Sequence, residues 1–245
     1  LAYAGLAEAY NTMIWGDNPW EDFLIAGITP EEACARSREY ANKALEIDKN
    51  LAEAHTVLGA ILYQRDWKWE EARKEFLLAF ELNPNLVNAH IYYASMLDVL
   101  RENTEARKHM DIALKLDPFF GFLHSLSGNL YFNEGKFNES IDAYQKAQEL
   151  YPRNYYYWYF LLNYLKLGEN LKVVEIMEQI LLQSNDTLSV KSSANVYDIY
   201  NRSGINGLLN FELELVRKRY PVDTFSLVKA WNLATTCARA GKKEE

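Results

Sequence analysis

Leu82-Asn83-Pro84-Asn85, Leu116-Asp117-Pro118 and Leu150-Tyr151-Pro152 decide how this chain is read, because their prolines stand 34 residues apart twice in succession. Ala79, Ala113 and Ala147 recur in the same phase, and Ala72, Ala106 and Ser140 form a third series. Three independent features with one period mark an internal repeat, and a period in the range of about 20–50 residues is that of solenoids and arrays. Within one period, Gly121–Glu134 carries apolar residues at helical spacing, breaks at Gly135 and resumes over Phe137–Leu150. Glycine suits a turn that needs a left-handed residue. Proline stops the second helix, since it has no N–H to donate and restricts the residue before it. Each period is therefore predicted to be an antiparallel helix pair.

Composition supports helices along the whole chain. Of 245 residues 49% are hydrophobic, enough for an ordered core and too many for a disordered or fibrous chain. Leu and Ala number 33 and 25, against 10 Val, 12 Ile and 8 Thr, with only 11 Gly and 6 Pro. Branched and turn residues are too few for an all-β chain, so the fold class is all-α. A net charge of −8 opposes general affinity for nucleic acid or an anionic membrane. No apolar run reaches the ~18 residues of a spanning helix. The chain opens on Leu1, and Leu1–Tyr10 already reads as an amphipathic helix without the basic start or cleavage site of a signal peptide. It is expected to be a fragment whose native start lies upstream. Cys34 and Cys237 are 203 residues apart. A repeat array would hold them at opposite ends, beyond the ~7 Å Cα separation of a disulfide. Unpaired thiols point to a reducing, cytoplasmic setting.

The periodic residues resemble the tetratricopeptide repeat family. Its unit of about 34 residues has a large residue at position 4, Leu-Gly at 7–8, Tyr at 11, Ala at 20, an aromatic at 24, Ala at 27 and Pro at 32. Gly121–Asn154 matches through Gly128, Tyr131, Tyr144, Ala147 and Pro152. Val87–Phe120 matches through Tyr93-Ala94, Ala106, Ala113 and Pro118. Ala52–Leu86 matches through Leu58-Gly59, Ala72, Ala79 and Pro84, with one residue inserted near Asp66-Trp67-Lys68-Trp69. Tyr155–Gln183 is a degenerate copy containing Trp158, Leu161 and Gly168.

The flanks follow more loosely. Leu1–Asn11 is read as a first helix and Gly16–Ile28 as an insertion. Thr29-Pro30-Glu31-Glu32 starts a helix running to Asp48, with Thr29 as cap and acids at the positive end of the dipole. Asp186–Arg202, Ile205–Tyr220 and Val222–Ala240 are three further helices. The resemblance implies one α-α superhelix over 1–245, a solenoid of about six helix pairs (1–51, 52–86, 87–120, 121–154, 155–185 and 186–221) plus an unpaired helix at 222–240. The small residues at positions 8, 20 and 27 would lie where helix axes approach to ~8–10 Å. The opening Leu1–Tyr10, the Asp66–Trp69 insertion and Ser203-Gly204 are also similar to repeat arrays of bacterial regulators, which follow winged-helix, nucleotide cyclase or kinase domains. None of those domains is visible in this chain.

Catalytic and metal chemistry find little support in the residues. His55, His90 and His124 all fall at repeat position 4, so successive layers would hold them ~10 Å apart, whereas zinc ligands must converge on one ion at ~2.0–2.1 Å. They are read as packing, and His109, on a second helix, as adding nothing. Cys237 falls at a packing position. No serine elbow or His-Glu-x-x-His motif is present. Gly128 and Gly135-Lys136 are too far apart for a phosphate loop. The acidic pairs Glu31-Glu32 and Glu70-Glu71 sit in first turns, where the helix dipole accounts for them. No enzyme activity, cofactor or metal is expected.

What remains is the inner face. The resemblance implies that positions 2, 5, 6, 9, 12 and 13 of each first helix line a concave groove. The mapping selects Tyr63, Tyr92, Asn129, Phe132, Asn133, Tyr156, Tyr159 and Asn163, with Gln64, Asn88, Ser95, Asp98, Phe122, Phe160 and Lys166 beside them. Tyrosine and asparagine give broad contact area and adaptable hydrogen bonds. The run Tyr155–Phe160 is aromatic all round, and groove hot spot and packing bulk both stand as readings of it. Position 5 (Thr56, Ile91, Ser125, Tyr159) has no Lys or Arg, against a clamp for a C-terminal carboxylate. An acidic surface opposes RNA reading. The expected partner is a protein or peptide segment, neutral or basic, laid in the groove. The alternatives are a regulatory, effector-sensing or self-association arm of a signalling enzyme, with the truncated C-terminal helix mediating association, or a plain spacer.

Overall fold

The computed structural model describes residues 1–15, 27–152, 156–182 and 187–219, and among them there are twelve α-helices and no strand. The chain divides into two compact units, Leu1–Lys136 with Glu149–Tyr151 and Phe137–Gln148 with Pro152–Glu245. The first holds α1 (Ala2–Trp15), α2 (Pro30–Ile47), α3 (Ala52–Gln64), α4 (Trp69–Leu82), α5 (Val87–Val99), α6 (Asn103–Leu116) and α7 (Gly121–Asn133). The second holds α8 (Phe137–Leu150) but for its last two residues, α9 (Tyr156–Leu167), α10 (Asn170–Leu182), α11 (Thr187–Ser193) and α12 (Val196–Arg219).

Pairing within the first unit follows the period. α1 packs on α2, α3 on α4 and α5 on α6, and each first helix also meets the first helix of the following pair. The small positions are where the stack closes. Ala72, Ala79, Ala94, Ala106 and Ala113 are all 0% exposed. At Gly59 an added Cβ would lie 2.9 Å from the ring of Phe76, so α3 and α4 approach too closely for any larger residue. Around these contacts Phe76, Met96, Leu97, Met110 and Leu123 form a continuous apolar core. Each such side chain contributes roughly 1.5–3 kcal/mol by leaving water.

The turns are as specific as the helices. Arg101 (φ 63°), Gly135 (φ 76°) and Gly168 (φ 73°) are left-handed residues just past a first helix. Beyond them the N–H groups of Glu102, Lys136 and Glu169 donate to the carbonyls of Leu97, Tyr131 and Tyr164 at 2.9, 2.9 and 3.0 Å. That is the six-to-one closure of a Schellman turn. Thr29 caps α2 as expected, its Oγ1 accepting from the N–H of Glu32 at 3.1 Å.

In the second unit, Leu161, Val173, Val174, Met177 and Leu208 form one core, and Ile141, Tyr144, Tyr156 and Phe160 another. The helix expected over Asp186–Arg202 is broken here. α11 ends at Ser193, a turn is closed by Asn195 N–H on Ser192 O (3.0 Å), and α12 begins at Val196. Serine and asparagine compete with the helix through their own backbone bonds, as Ser193 Oγ does by donating to Val190 O at 2.8 Å. α12 is itself interrupted at Gly204 (φ 64°, ψ −164°), the point where the sequence places a helix break.

Cys34 is a half-buried free thiol. Cys237, most of the expected insertion at Gly16–Ile28, the expected terminal helix 222–240 and Tyr155 lie outside the described residues. Among the described residues no helix is long and apolar enough to cross a membrane.

Candidate binding groove

Helices α3, α5 and α7 are the first helices of three successive pairs, and their inner faces share a cavity of about 460 Å³. Tyr63 and Gln64 come from α3, Ser95, Asp98 and Val99 from α5, and Leu126, Asn129, Leu130 and Asn133 from α7. Three of the residues selected from the sequence, Tyr63, Asn129 and Asn133, thus line one space. Gln64 Nε2 donates to the Tyr63 hydroxyl at 2.8 Å, and burial pushes the Tyr63 phenol up to about 12. Asn133 Nδ2 donates to both carboxylate oxygens of Asp98, at 3.1 and 2.8 Å, while burial raises the Asp98 carboxyl above its usual range.

Two further walls of this cavity, Trp67 and Trp69, were quoted above only as part of an insertion. The inserted residue lengthens the turn after α3. There the left-handed residue is Trp67 (φ 58°), and the closing bond runs from Lys68 N–H to Leu62 O (3.0 Å), one residue further than in the later turns. Trp67 is consequently turned outward, 69% exposed, with its ring edge-on to Trp69 at 5.6 Å. Two tryptophans inside an inserted turn were the available signal.

The other selected residues are placed differently. Tyr92 is 9% exposed, and its hydroxyl donates to Glu8 on α1 at 2.6 Å; Asn88 Nδ2 donates to the same oxygen at 2.9 Å. Burial raises both the Glu8 carboxyl and the Tyr92 phenol. Phe132 is half-buried. In the second unit Tyr156 and Asn163 are 2% and 0% exposed, and Tyr159 stacks on Tyr144 at 4.6 Å and 22°. Asn163 Nδ2 donates to Tyr159 O at 2.9 Å.

The histidines at repeat position 4 share one task. His55, His90 and His124 place Nε2 at 2.9, 2.9 and 3.0 Å from the carbonyls of Lys49, Pro84 and Pro118, six residues earlier, tying each first helix to the preceding loop. Their Nδ1 partners differ. His55 Nδ1 meets Glu75 at 2.6 Å, which raises its pKa. His90 Nδ1 meets His109 Nδ1 at 2.9 Å, between the rings of Phe80 and Tyr93. A second-helix residue, His109, thus closes across the pair onto position 4. With Nε2–H given to Pro84, His90 Nδ1 is the acceptor and His109 Nδ1–H the donor. Burial, and then the neighbouring His90, hold His109 down to about 4. Among the described residues no three His, Cys, Asp or Glu side chains are placed to hold a metal ion.

Comparison with known proteins agrees with this architecture. Residues 123–154 match the model of the tetratricopeptide repeat. A 123-residue stretch, 49% of this chain, is 29% identical to small glutamine-rich tetratricopeptide repeat-containing protein 2 of Mycosarcoma maydis, and it spans 28% of that protein's length. The solved structure of Pseudomonas aeruginosa PilF superposes with a TM-score of 0.61 at 16% identity, covering 96% of this chain and all of the other. YrrB, described as a TPR protein with an unusual peptide-binding site, gives 0.52 at 18% identity, covering 77% of this chain and 99% of its own. The 34-residue period and the helix pairs with their buried small residues give this chain a fold similar to that of tetratricopeptide repeat arrays, and residues 123–154 match one such repeat.

Proposed function

We propose that this chain is a non-catalytic protein-binding module, and that the inner face of α3, α5 and α7 takes an extended segment of a partner. The observation that carries this reading is the cavity of about 460 Å³, which draws polar and aromatic side chains from three successive repeats. Sites for small segments are concave, largely apolar and furnished with a few placed polar groups. Peptide binding by the similar YrrB supports the same use of the fold. The net charge of −8 favours neutral or basic partners. A place within a bacterial regulator rests on the resemblance of residues 1–10, 66–69 and 203–204, and a cytoplasmic setting on the two widely separated cysteines, Cys34 and Cys237. Self-association through residues 222–240 is a second reading.

Selection of a random linear-peptide library against the chain tests the groove. Selected peptides are expected to lose at least about tenfold in affinity against Asn133→Trp, which fills the cavity from an exposed position, at unchanged melting temperature. Peptides that bind the variant as they bind the parent chain would sink the groove reading.

A further inference from the structure

We infer that the cavity between α3, α5 and α7 is an anchor subsite for one arginine side chain of the bound segment, an assignment that rests on the groove reading above. The argument begins with donors and acceptors. Asp98 presents a carboxylate whose hydrogen-bond donor among the described residues is the neutral Asn133. Gln64 spends its Nε2 on Tyr63, and its Oε1 is buried without any hydrogen-bond partner. Paired among the described residues with a neutral amide, the Asp98 carboxylate makes this wall complementary to a ligand that brings charged N–H groups. Arg101 lies near enough to lower the Asp98 carboxyl electrostatically, but no ion pair joins the two. The other cations of this region are engaged elsewhere. Arg107 and Lys136 hold Glu134, at 2.7 and 2.9 Å, and Arg73 holds Glu102 at 2.6 Å.

The aromatic wall narrows the choice to guanidinium. Trp67 and Trp69 stand edge-to-face at 5.6 Å, and Tyr63 lies 6.5 Å from Trp69. A guanidinium stacks on such faces and carries five in-plane donors and no acceptor, so it can pair with Asp98 while lying flat against a ring. An ammonium offers a compact charge without the plane. The backbone adds a separate observation. Trp67 holds φ 58° although it is neither glycine nor asparagine, and its ring is 69% exposed. A bulky residue in the left-handed region is strained, and such strain collects at ligand clamps. The lengthened turn sets this tryptophan outward and leaves its ring uncovered. That uncovered ring supplies a wall for a flat cation.

The experiment uses the full chain and the library-selected peptides, resynthesised with each arginine replaced by citrulline, lysine or glutamate. Citrulline keeps the shape and plane and removes the charge. The expected result is one arginine whose replacement by citrulline weakens binding at least about tenfold. The same replacement should cost about twofold or less against Asp98→Asn. Trp67→Gly, which relieves the backbone, should bind about fivefold more weakly while melting no lower than the parent. Peptides blocked by Asn133→Trp but indifferent to citrulline, or bound equally by Asp98→Asn, would overturn the arginine subsite and leave the groove reading standing. Failure to select any peptide, or indifference to Asn133→Trp, would overturn both.

Discussion

Helices α7 and α9 use the same residue types to opposite ends. On α7, Asn129 and Asn133 face an open cavity together with Tyr63 of α3. On α9, Tyr156 and Asn163 are buried, and Tyr159 lies flat on Tyr144. The difference is in what stands opposite. In the first unit Ser95, Asp98 and Val99 leave room above them, and the longer turn carries Trp67 out to the rim. In the second unit Tyr144, itself 1% exposed, fills the space that α9 would otherwise open. An aromatic side chain is an anchor when its face is vacant and a core residue when another ring already covers it.

The largest effect expected from this contrast is on the second unit. Tyr144→Ala should cost about 3–5 kcal/mol, as truncation of buried aromatics does, read as a fall in the urea midpoint. A loss below about 1 kcal/mol would mean that the tyrosine stack is surface. The first unit has its own point of closure at Gly59, where Leu would be driven into Phe76; about 1–3 kcal/mol or more should be lost. A variant as stable as the parent would contradict the close approach of α3 and α4.

Tyr159→Ala should lower stability by about 1–3 kcal/mol while leaving peptide affinity unchanged. Asn133→Ala should do the reverse, with stability moving within about 0.5 kcal/mol. If the two variants exchange these outcomes, the comparison is inverted.

Acid separates the units as well, since all four histidines lie in the first. His109 titrates at about 4 when folded, below the ordinary histidine value near 6.5. Its contribution is fully present above about pH 6.5 and is lost as pH falls toward 4. His55, raised by Glu75, has the opposite sign: its contribution is present below about pH 6.5 and lost as pH rises through its folded value. His109→Gln should flatten the stability profile between about pH 6.5 and 4, and a profile as steep as the parent's would refute the assignment. The smallest effect belongs to the turns. Arg101 occupies the left-handed position that Gly135 fills one repeat later, so Arg101→Gly should raise stability by up to about 1 kcal/mol. A lower melting temperature would show that the arginine side chain outweighs the strain.

Much of this was legible because repeat spacing reports on backbone geometry. Pro84, Pro118 and Pro152 mark helix ends, and Ala72, Ala79, Ala106 and Ala113 mark close contacts, each through a local rule that needs no partner. The lining of the cavity was legible in part. Tyr63, Asn129 and Asn133 followed from repeat position, but Tyr92 is held by Glu8 from 84 residues away, a pairing with no local signature. Trp67 was hidden because an inserted residue shifts its phase. The break at 192–195 was hidden because serine and asparagine only weaken a helix, and packing decides whether it ends.

By itself the amino-acid order determined the period, the all-α class, the helix ends and the positions that must be small, because proline, glycine and alanine act through sterics within a few residues. Tertiary structure alone decided which tyrosines face a cavity, which histidine meets which partner, and where Trp67 points. Those outcomes depend on what the neighbouring helix presents at a separation of several ångströms, and the same side chain is an anchor, a core residue or a hydrogen-bond partner according to that neighbour.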